Sequence, residues 1–280
     1  MLKFLYILFT SVALFLLSLV FIYFTTDIEI LKTHYPHTVG MDGKKVNYEF
    51  KPRPPAHWVR LDQISSPMRR AVVITEDWAF YDHEGVDFNQ VRVIVQEFLV
   101  SRRFTRGGST ITQQLVKNIL LYPDKTIWRK MKEIVLAKKM EMTLTKYRIL
   151  ELYLNVIEVG PGLYGVQKGA QHYFGKNASE LDAREAAFIA MLLPNPKKYS
   201  ESFRKKQLTA FARQRVRDIL RKMKAVHVIT EEQYLFMRSD HFNWEIVDPA
   251  EDTQISETDN AELEDELSAE DEEELQDLWD

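Results

Sequence analysis

The residues best suited to chemistry begin with a pair of carboxylates set among aromatic side chains, in residues 76–85. Glu76 and Asp77 precede Trp78, and Phe80 follows closely. Apolar surroundings favour a carboxyl group that can take up a proton near neutral pH, so this pair could supply a general base. The alternative is a helix end with solvated acids, which is the commoner situation of such residues.

A second segment, residues 106–118, has two glycines that lead into a predicted helix. The N-terminus of a helix attracts anions through its free N–H groups and its dipole, and the hydroxyls of Ser109 and Thr110 would add donors. Gln113 and Lys117 are one turn apart. The alternative is an ordinary amphipathic helix capped by Ser109 or Thr110. A Walker-type phosphate loop is excluded, because no Gly-Lys-Ser/Thr follows the glycines at the required spacing.

Two further segments are less specific when each is taken alone. In residues 129–141, Arg129 and Glu133 are one turn apart, a spacing that more often marks a surface ion pair than a site. Residues 146–155 lead into a glycine-rich stretch at 160–165, and their apolar side chains are expected to serve the core.

The chain before these segments has the length and composition of a membrane span. Residues 4–24 are twenty-one consecutive residues without a charge, enough for a helix of about 30 Å. A cleaved signal peptide is the alternative, but no small-x-small cleavage site follows before Asp27. We predict that residues 1–27 are a transmembrane anchor, with a short N-terminus inside and the rest of the chain outside the cytoplasmic membrane.

Most of the remaining chain has helical patterns. Ser66 followed by Pro67 predicts a helix N-cap, and capping boxes are predicted to start at Ser179 and Thr230. One short strand is expected at residues 46–50. Helix-like segments lie near residues 67–80, 88–101, 109–121, 126–142, 145–154, 165–174, 180–193 and 206–224.

Charge is distributed unevenly along the chain. Residues 251–280 hold fifteen Asp and Glu and no Lys or Arg, and the tail from residue 246 to 280 is predicted to be disordered. Residues 1–250 therefore hold all 37 Lys and Arg against 26 acids, a formal charge of +11 that favours an anionic partner. Nucleic acid is excluded as that partner, because the basic residues follow a membrane anchor without any nucleic-acid fold signature. The absence of cysteine excludes disulfides and a thiolate nucleophile.

Taken in order, the four segments closely resemble the glycosyltransferase family 51 domain of monofunctional peptidoglycan transglycosylases and class A penicillin-binding proteins. The resemblance runs from about residue 60 to 225 and includes Glu-Asp-x-x-Phe-x-x-His-x-Gly and Gly-x-Ser-Thr-Ile-Thr-Gln-Gln-Leu-x-Lys-Asn. It implies a mainly α, lysozyme-like domain, assigned to residues 28–245, with a small lobe that contacts the membrane. The lobe would use the apolar and arginine side chains of Phe98, Leu99, Val100, Arg102, Arg103, Phe104 and Arg106.

The activity implied by the resemblance is polymerisation of lipid II into β-1,4-linked glycan strands, with inversion at C1 and release of polyprenyl diphosphate. Glu76 would be the base and Glu133 the second acidic residue, which organises charge around the diphosphate. The implied substrate-binding residues are Ser109, Gln113, Lys117, Asn118, Lys125 and Arg129. Among them Lys117 is the best candidate to stabilise the diphosphate, with support from Ser109, Gln113 and Arg129. Lys125 stands where the family usually has an arginine, which keeps the charge but loses the bidentate fork.

No cofactor is required by this resemblance and no metal ligand is assigned, although Mg²⁺ or Mn²⁺ could accompany the diphosphate. The implied partners are lipid II, the growing lipid-linked chain, the membrane, and other cell-wall synthesis or division proteins.

Three other functions are alternatives to this one. A transpeptidase would need three motifs, of which only Ser-x-x-Lys is matched, by Ser202 and Lys205. A glycan hydrolase is disfavoured because the second segment, residues 106–118, is suited to bind phosphate, which a hydrolase of this kind does not need. A non-catalytic scaffold is disfavoured because Glu76, Lys117 and Glu133 are all present.

Overall fold

The computed structural model describes residues 2–42, 45–101, 107–239 and 241–246. The predicted tail beyond Ile246, and Arg102, Arg103, Phe104 and Arg106 of the predicted lobe, lie outside the described residues, as does the side chain of Val100. The described chain is mainly helical, which confirms the predicted fold class.

The helices are α1 (Leu2–Thr25), α2 (Ser66–Glu76), α3 (Phe88–Ser101), α4 (Ile111–Leu120), α5 (Ile127–Thr143), α6 (Lys146–Val156), α7 (Val166–Phe174), α8 (Ala183–Leu192), α9 (Pro196–Tyr199), α10 (Glu201–Lys205), α11 (Ala210–Ala225) and α12 (Glu231–Ser239). The strands are β1 (Tyr35–Asp42), β2 (Lys45–Lys51), β3 (Glu158–Gly160) and β4 (Leu163–Tyr164), with 3₁₀ turns at Glu29–Lys32 and Leu61–Gln63.

The first of two compact units contains the chain up to Leu61 and Ala79–Val156. Its centre is α4, which packs against α5, α6 and β2. Strands β1 and β2 form an antiparallel hairpin whose register shifts between Thr38 and Gly40. Its core is made of fully buried aliphatic side chains, among them Ile111, Leu115, Leu136, Met140 and Ile149.

Helix α1 packs along α5 within this unit. The Phe15 and Trp128 rings meet edge to face with centroids 5.1 Å apart. Near the end of α1, Lys139 Nζ donates to the carbonyl oxygens of Tyr23, at 2.6 Å, and Thr26, at 2.8 Å. A cation at the C-terminal end of a helix interacts favourably with the helix dipole and with the last carbonyls. By length and composition, the segment from Lys3 to Lys32 could cross a membrane, with a mean hydropathy of 2.6.

The second unit contains Asp62–Trp78 and the chain from Ile157 onward. Here α2 packs against α8 and α11, and α7 packs on β3 and α8. An aromatic cluster of rings in contact lies in this unit, namely Tyr173, Phe174, Phe188, Phe203, Phe242 and Trp244. Burial raises the pKa of Tyr173 in this cluster, because its phenolate would lose hydration.

Two of the predicted caps were wrong by a few residues. Helix α2 is capped by Ser65 instead of Ser66, because the Ser65 hydroxyl accepts from the Met68 N–H at 3.2 Å. Pro67 still lies in the first turn, where its missing N–H costs nothing. The capping box of α8 starts at Asp182 instead of Ser179, whereas the box predicted at Thr230 is confirmed by reciprocal bonds with Gln233.

Candidate active site

The glycine of the first segment closes a turn against two helices. Gly85 has φ of +91°, and a Cβ there would lie 2.9 Å from the Ala137 carbonyl oxygen of α5. Its own carbonyl accepts a hydrogen bond from Thr110 Oγ1 at 2.7 Å, and its N–H donates to His83 Nδ1 at 3.1 Å. Only glycine combines this conformation with such a close approach. The end of the first segment is thereby joined to α5 and to the start of α4.

The aromatic part of the first segment supports a second set of polar contacts. Phe80 is fully buried, with Lys146 Nζ 4.5 Å from its ring centroid. Lys146 Nζ also donates to the His83 carbonyl at 2.6 Å and to Glu141 Oε1 at 2.9 Å. Glu141 Oε1 accepts from the Thr112 hydroxyl as well, at 2.5 Å. These bonds tie the first segment to α4, α5 and α6.

The start of α4 is a capping box made of neutral side chains. Thr110 Oγ1 accepts from the Gln113 N–H at 3.2 Å, and Gln113 Oε1 accepts from the Thr110 N–H at 3.1 Å. Thr110, one of the two caps considered, is therefore the N-cap. Gln113 is only 2% exposed, whereas Lys117, one turn later, is exposed. The assignment of Gln113 to substrate binding stays a prediction, and its Oε1 already serves the cap.

A cluster of cations surrounds a buried carboxylate beside this helix start. Glu133 is 2% exposed; its Oε2 accepts from Arg129 Nη1, and its Oε1 accepts from Lys130 Nζ at 2.5 Å. Lys130 Nζ also donates to Ser109 Oγ at 3.1 Å. Arg129 Nε donates to the Asp124 carbonyl. We call Ser109, Arg129, Lys130 and Glu133 the cation cluster.

The cation cluster has the chemistry of an anion-binding site. Two cations share one carboxylate, so the cluster carries a formal surplus of one positive charge. Because both Glu133 oxygens accept from cations, Glu133 orients those cations and is not placed to act as a base. Ammonium and guanidinium groups carry more donors than the contacts above use. A diphosphate could therefore bind both cations and the first turn of α4.

Lys130 was not among the residues singled out from the sequence. It contacts both Glu133 and Ser109 and so links α5 to the start of α4. Its spacing of three residues from Glu133 was a usable signal, since side chains at i and i+3 share a helix face. That spacing is common on helix surfaces, and the contact with Ser109 depends on tertiary packing.

Three of the predicted substrate-binding residues lie along the rest of α4 and the following loop. Lys117 is exposed in the last turn of α4, about 10 Å along the helix axis from Thr110. Asn118 is half-buried beside it, and Lys125 is exposed in the loop before α5. Within the described part of the chain, Lys125 makes no hydrogen bond or ion pair with the cation cluster. The roles of these three residues stay predictions.

Glu76, the predicted base, belongs to the second unit. It is the last residue of α2 and is half-buried, and it is followed by Asp77, which is 2% exposed. The Asp77 N–H closes the helix by donating to the Val73 carbonyl at 2.9 Å. Packing of α2 on α8 and α11 fixes the end of this helix within its unit.

Ser202, which matched the transpeptidase motif, has a structural role. It is 1% exposed, and its Oγ accepts from the Thr209 N–H at 3.2 Å. Lys205 instead pairs with Glu201 at 2.9 Å on the surface. A buried hydroxyl bonded in this way is not available as a nucleophile.

The fourth segment serves the core, as predicted, and one of its acids also binds the chain that follows α1. Ile149, Leu150, Leu152 and Leu154 are buried. Glu151 accepts from the Leu61 N–H at 3.0 Å and from Arg148 Nη1 at 2.6 Å, which anchors the chain that follows α1.

Comparison with known proteins gives the class to which these features belong. Residues 43–224 match the family described as Transglycosylase. A biosynthetic peptidoglycan transglycosylase of Nitrosomonas eutropha is 39% identical over 193 residues, which cover 66% of this chain and 79% of that protein. A protein of the same name from Janthinobacterium is 35% identical over 212 residues, covering 74% of this chain and 90% of that protein. The chain belongs to the transglycosylase family.

Proposed function

We propose that this chain is a peptidoglycan glycosyltransferase that polymerises lipid II into β-1,4-linked glycan strands. Family membership and the names of the relatives support the reaction class. The observation that carries the proposal is the cation cluster at the start of α4, because the group that leaves a lipid-linked sugar donor is a lipid diphosphate. Inversion at C1 and release of polyprenyl diphosphate complete the proposed reaction.

The first chemical task is to stabilise the leaving diphosphate. Negative charge develops on the phosphate oxygen that was bonded to C1 as that bond breaks, and fixed cations lower the energy of that state. Arg129 and Lys130 are fixed by Glu133, so little reorganisation is needed when the charge appears. Ser109 and the first turn of α4 add neutral donors. Lys117 and Lys125 are proposed to add positive charge at the diphosphate, Gln113 to lie close to it, and Asn118 to contact the lipid-linked substrate beside it.

The second task is to remove a proton from the attacking 4-hydroxyl. We assign this to Glu76: its carboxylate takes the proton as the hydroxyl oxygen bonds to C1 and the C1–oxygen bond to the diphosphate breaks. The support for this assignment is the match of residues 76–85 to the family pattern and the position of Glu76 at the fixed end of α2.

The substrate carries a lipid, so the protein must work at a membrane. Helix α1 is compatible with a single-pass anchor. Helix α3 adds a stripe of exposed apolar side chains at helical spacing, with Phe88 76% exposed and Leu99 59% exposed. We propose that α3 contacts lipid and that the catalytic domain lies on the outer side of the cytoplasmic membrane.

A divalent ion is an optional part of this proposal. Within the described residues, no group of three or more His, Cys, Asp or Glu could hold a metal ion. Mg²⁺ or Mn²⁺ would therefore be held mainly by the diphosphate oxygens and water. The chain's own cations then supply most of the charge that the leaving group needs.

The test is polymerisation of purified lipid II by the full chain in detergent or nanodiscs, with products separated by length. We expect the wild type to form polymer and Glu76→Gln to form none while melting at the same temperature. Glu84→Gln is the matched control, because Glu84 belongs to the same segment but is exposed and pairs with Lys138, which lowers its pKa. The control should polymerise normally. Polymer from a folded Glu76→Gln protein would refute the assignment of the base, and soluble disaccharide fragments would indicate a hydrolase.

A further inference from the structure

Most of the positive charge of residues 1–250 lies in a short part of the second unit. Residues 196–224 contain eleven Lys and Arg and two acids, a formal charge of +9 out of +11. This stretch covers α9, α10 and nearly all of α11. We define the basic surface by six of its exposed or half-buried cations, Lys197, Lys198, Arg204, Lys205, Lys206 and Arg213.

Contacts between the three helices hold these cations on one continuous surface. The rings of Tyr199, at the end of α9, and Phe211, in the first turn of α11, pack with centroids 4.8 Å apart. The Thr209 N–H, at the start of α11, donates to Ser202 Oγ of α10 at 3.2 Å. The cations are therefore brought together by folding as well as by sequence.

The chain that carries the basic surface does not neutralise it. Lys205 pairs with Glu201, but that pair is exposed and so is weakly stabilising. Lys197, Lys206 and Arg213 form no ion pair with a carboxylate among the described residues, and Lys198 interacts only at longer range with Glu201, whose pKa is lowered mainly by Lys205. Like charges this close repel one another, so an anionic partner would be bound favourably.

The described part of the C-terminal segment ends beside this surface. Phe242 and Trp244 are buried in the aromatic cluster, and Glu245 faces Arg184 at 3.7 Å. The Ile246 N–H then donates to the Lys206 carbonyl at 2.7 Å, so the described chain ends beside a residue of the basic surface. The 34 residues that follow, 247–280, include sixteen Asp and Glu and no Lys or Arg.

We propose that residues 247–280, the acidic tail, dock on the basic surface of the same chain. Thirty-four residues reach about 30 Å even at the average end-to-end distance of a random coil, which is enough to cover α9–α11 from a starting point beside Lys206. Tethering keeps the tail at an effective concentration in the millimolar range, so weak ion pairs suffice. Exposed Phe211 offers an apolar contact for the leucines and Trp279 of the tail. The docked tail shields this surface from other anions.

Zero-length carbodiimide cross-linking of the full chain in phosphatidylcholine nanodiscs tests the proposal, because it joins lysines to carboxylates in direct contact. Cross-links are mapped in the monomer band. We expect the tail to be joined to Lys197, Lys198, Lys205 and Lys206 far more than to Lys32, Lys51 and Lys138, three exposed lysines of the first unit. These cross-links should be lost at about 1 M salt, where the Debye length is about 3 Å.

Two variants and one change of lipid complete the experiment. Replacing the nine Asp and Glu of residues 262–274 by Asn and Gln should abolish most tail cross-links. Replacing Lys32, Lys51 and Lys138 by Gln should leave them unchanged. Cross-links spread evenly over both units, or absent at low salt, would overturn the proposal. So would their loss in phosphatidylglycerol nanodiscs, because the surface would then belong to anionic headgroups. None of these readouts depends on glycan polymerisation.

Discussion

Helices α4 and α8 both begin with a capping box, but the two boxes carry different charges. In α4 the capping box uses Thr110 and Gln113, whereas in α8 it uses Asp182 and Glu185. Glu185 also accepts from Lys176 Nζ at 2.7 Å, which raises the pKa of Lys176 above its ordinary value of 10.5. The geometry of the two caps is alike, and only their electrostatics differ.

The difference separates a helix start that is neutralised within the chain from one that is not. The positive end of a helix is stabilised by nearby negative charge. Helix α8 meets this need within the chain through two carboxylates. Helix α4 has no acid in its first turn and lies beside Arg129 and Lys130 of the cation cluster. The start of α4 therefore lacks a nearby negative charge, which an anion from outside the chain would supply.

The largest effect is expected when the α4 cap is given the charge of the α8 cap. Gln113→Glu keeps the reciprocal hydrogen bonds, but position 113 is only 2% exposed. The cost of burying a charge opposes the gain from the helix dipole, so the melting temperature should be equal or slightly lower. Turnover of lipid II should fall roughly 10²-fold, because a carboxylate would repel the diphosphate. The matched control is Glu185→Gln, which should lower stability by about 0.5–1 kcal/mol without changing turnover. Equal turnover in both variants would show that the start of α4 binds no anion.

A smaller effect is expected from removing one cation at each helix start. Lys130→Met should lower turnover by about 10- to 10²-fold, since Glu133 would keep only Arg129 and Ser109 would lose its donor. Lys176→Met should leave turnover unchanged and alter only the melting temperature. Steady-state kinetics with thermal unfolding of both variants measures the contrast. Rescue of turnover by Lys130→Arg would support a role of charge over packing.

A still smaller effect is expected at Lys125, the exposed lysine of the loop before α5. If it contacts the diphosphate, Lys125→Arg should preserve or raise polymer yield, Lys125→Ala should lower it a few-fold, and Lys125→Glu should lower it most. The order of the three yields is the measurement. Equal yields would remove Lys125 from the site, and the cation cluster would then hold the diphosphate without it.

The smallest expected effect is a pH dependence at the start of α8. The pKa of Lys176 is raised in the folded state, so its contribution to stability is present below about pH 10.5 and is lost as the pH rises beyond that value. The difference in melting temperature between the wild type and Lys176→Met should stay constant between about pH 7 and 9. It should shrink above pH 10.5. A difference that vanished near neutral pH would contradict the role of this ion pair.

The helices that carry the site were predictable because their periodicity and start signals are local. The expected segments at 88–101, 126–142 and 145–154 correspond to α3, α5 and α6 within two residues at either end. Strand β1 was missed, since Pro36 and Gly40 are unfavourable in strands and its pairing with β2 is visible only in the fold. Helices α9 and α10 are too short to produce a periodic pattern.

The residue types of the site were predictable from the sequence, but the hydrogen bonds and ion pairs between them were not. Arg129 and Glu133 could be paired from their spacing, whereas the bond from Lys130 to Ser109 joins residues 21 positions apart. The burial of Gln113 could not be read from spacing, because the neighbours that cover it come from other parts of the chain. Tertiary packing decides both.

The double use of α5 limits how this protein can change in length. One set of its side chains, Arg129, Lys130 and Glu133, forms the cation cluster, and another, Trp128 and Lys139, contacts α1. A single inserted residue between Glu133 and Lys139 would rotate one set relative to the other by about 100°. Substitutions can accumulate on this helix one at a time, but an insertion or deletion would break one set of contacts or the other. Helix α5 is therefore expected to keep a constant length in any lineage that keeps both.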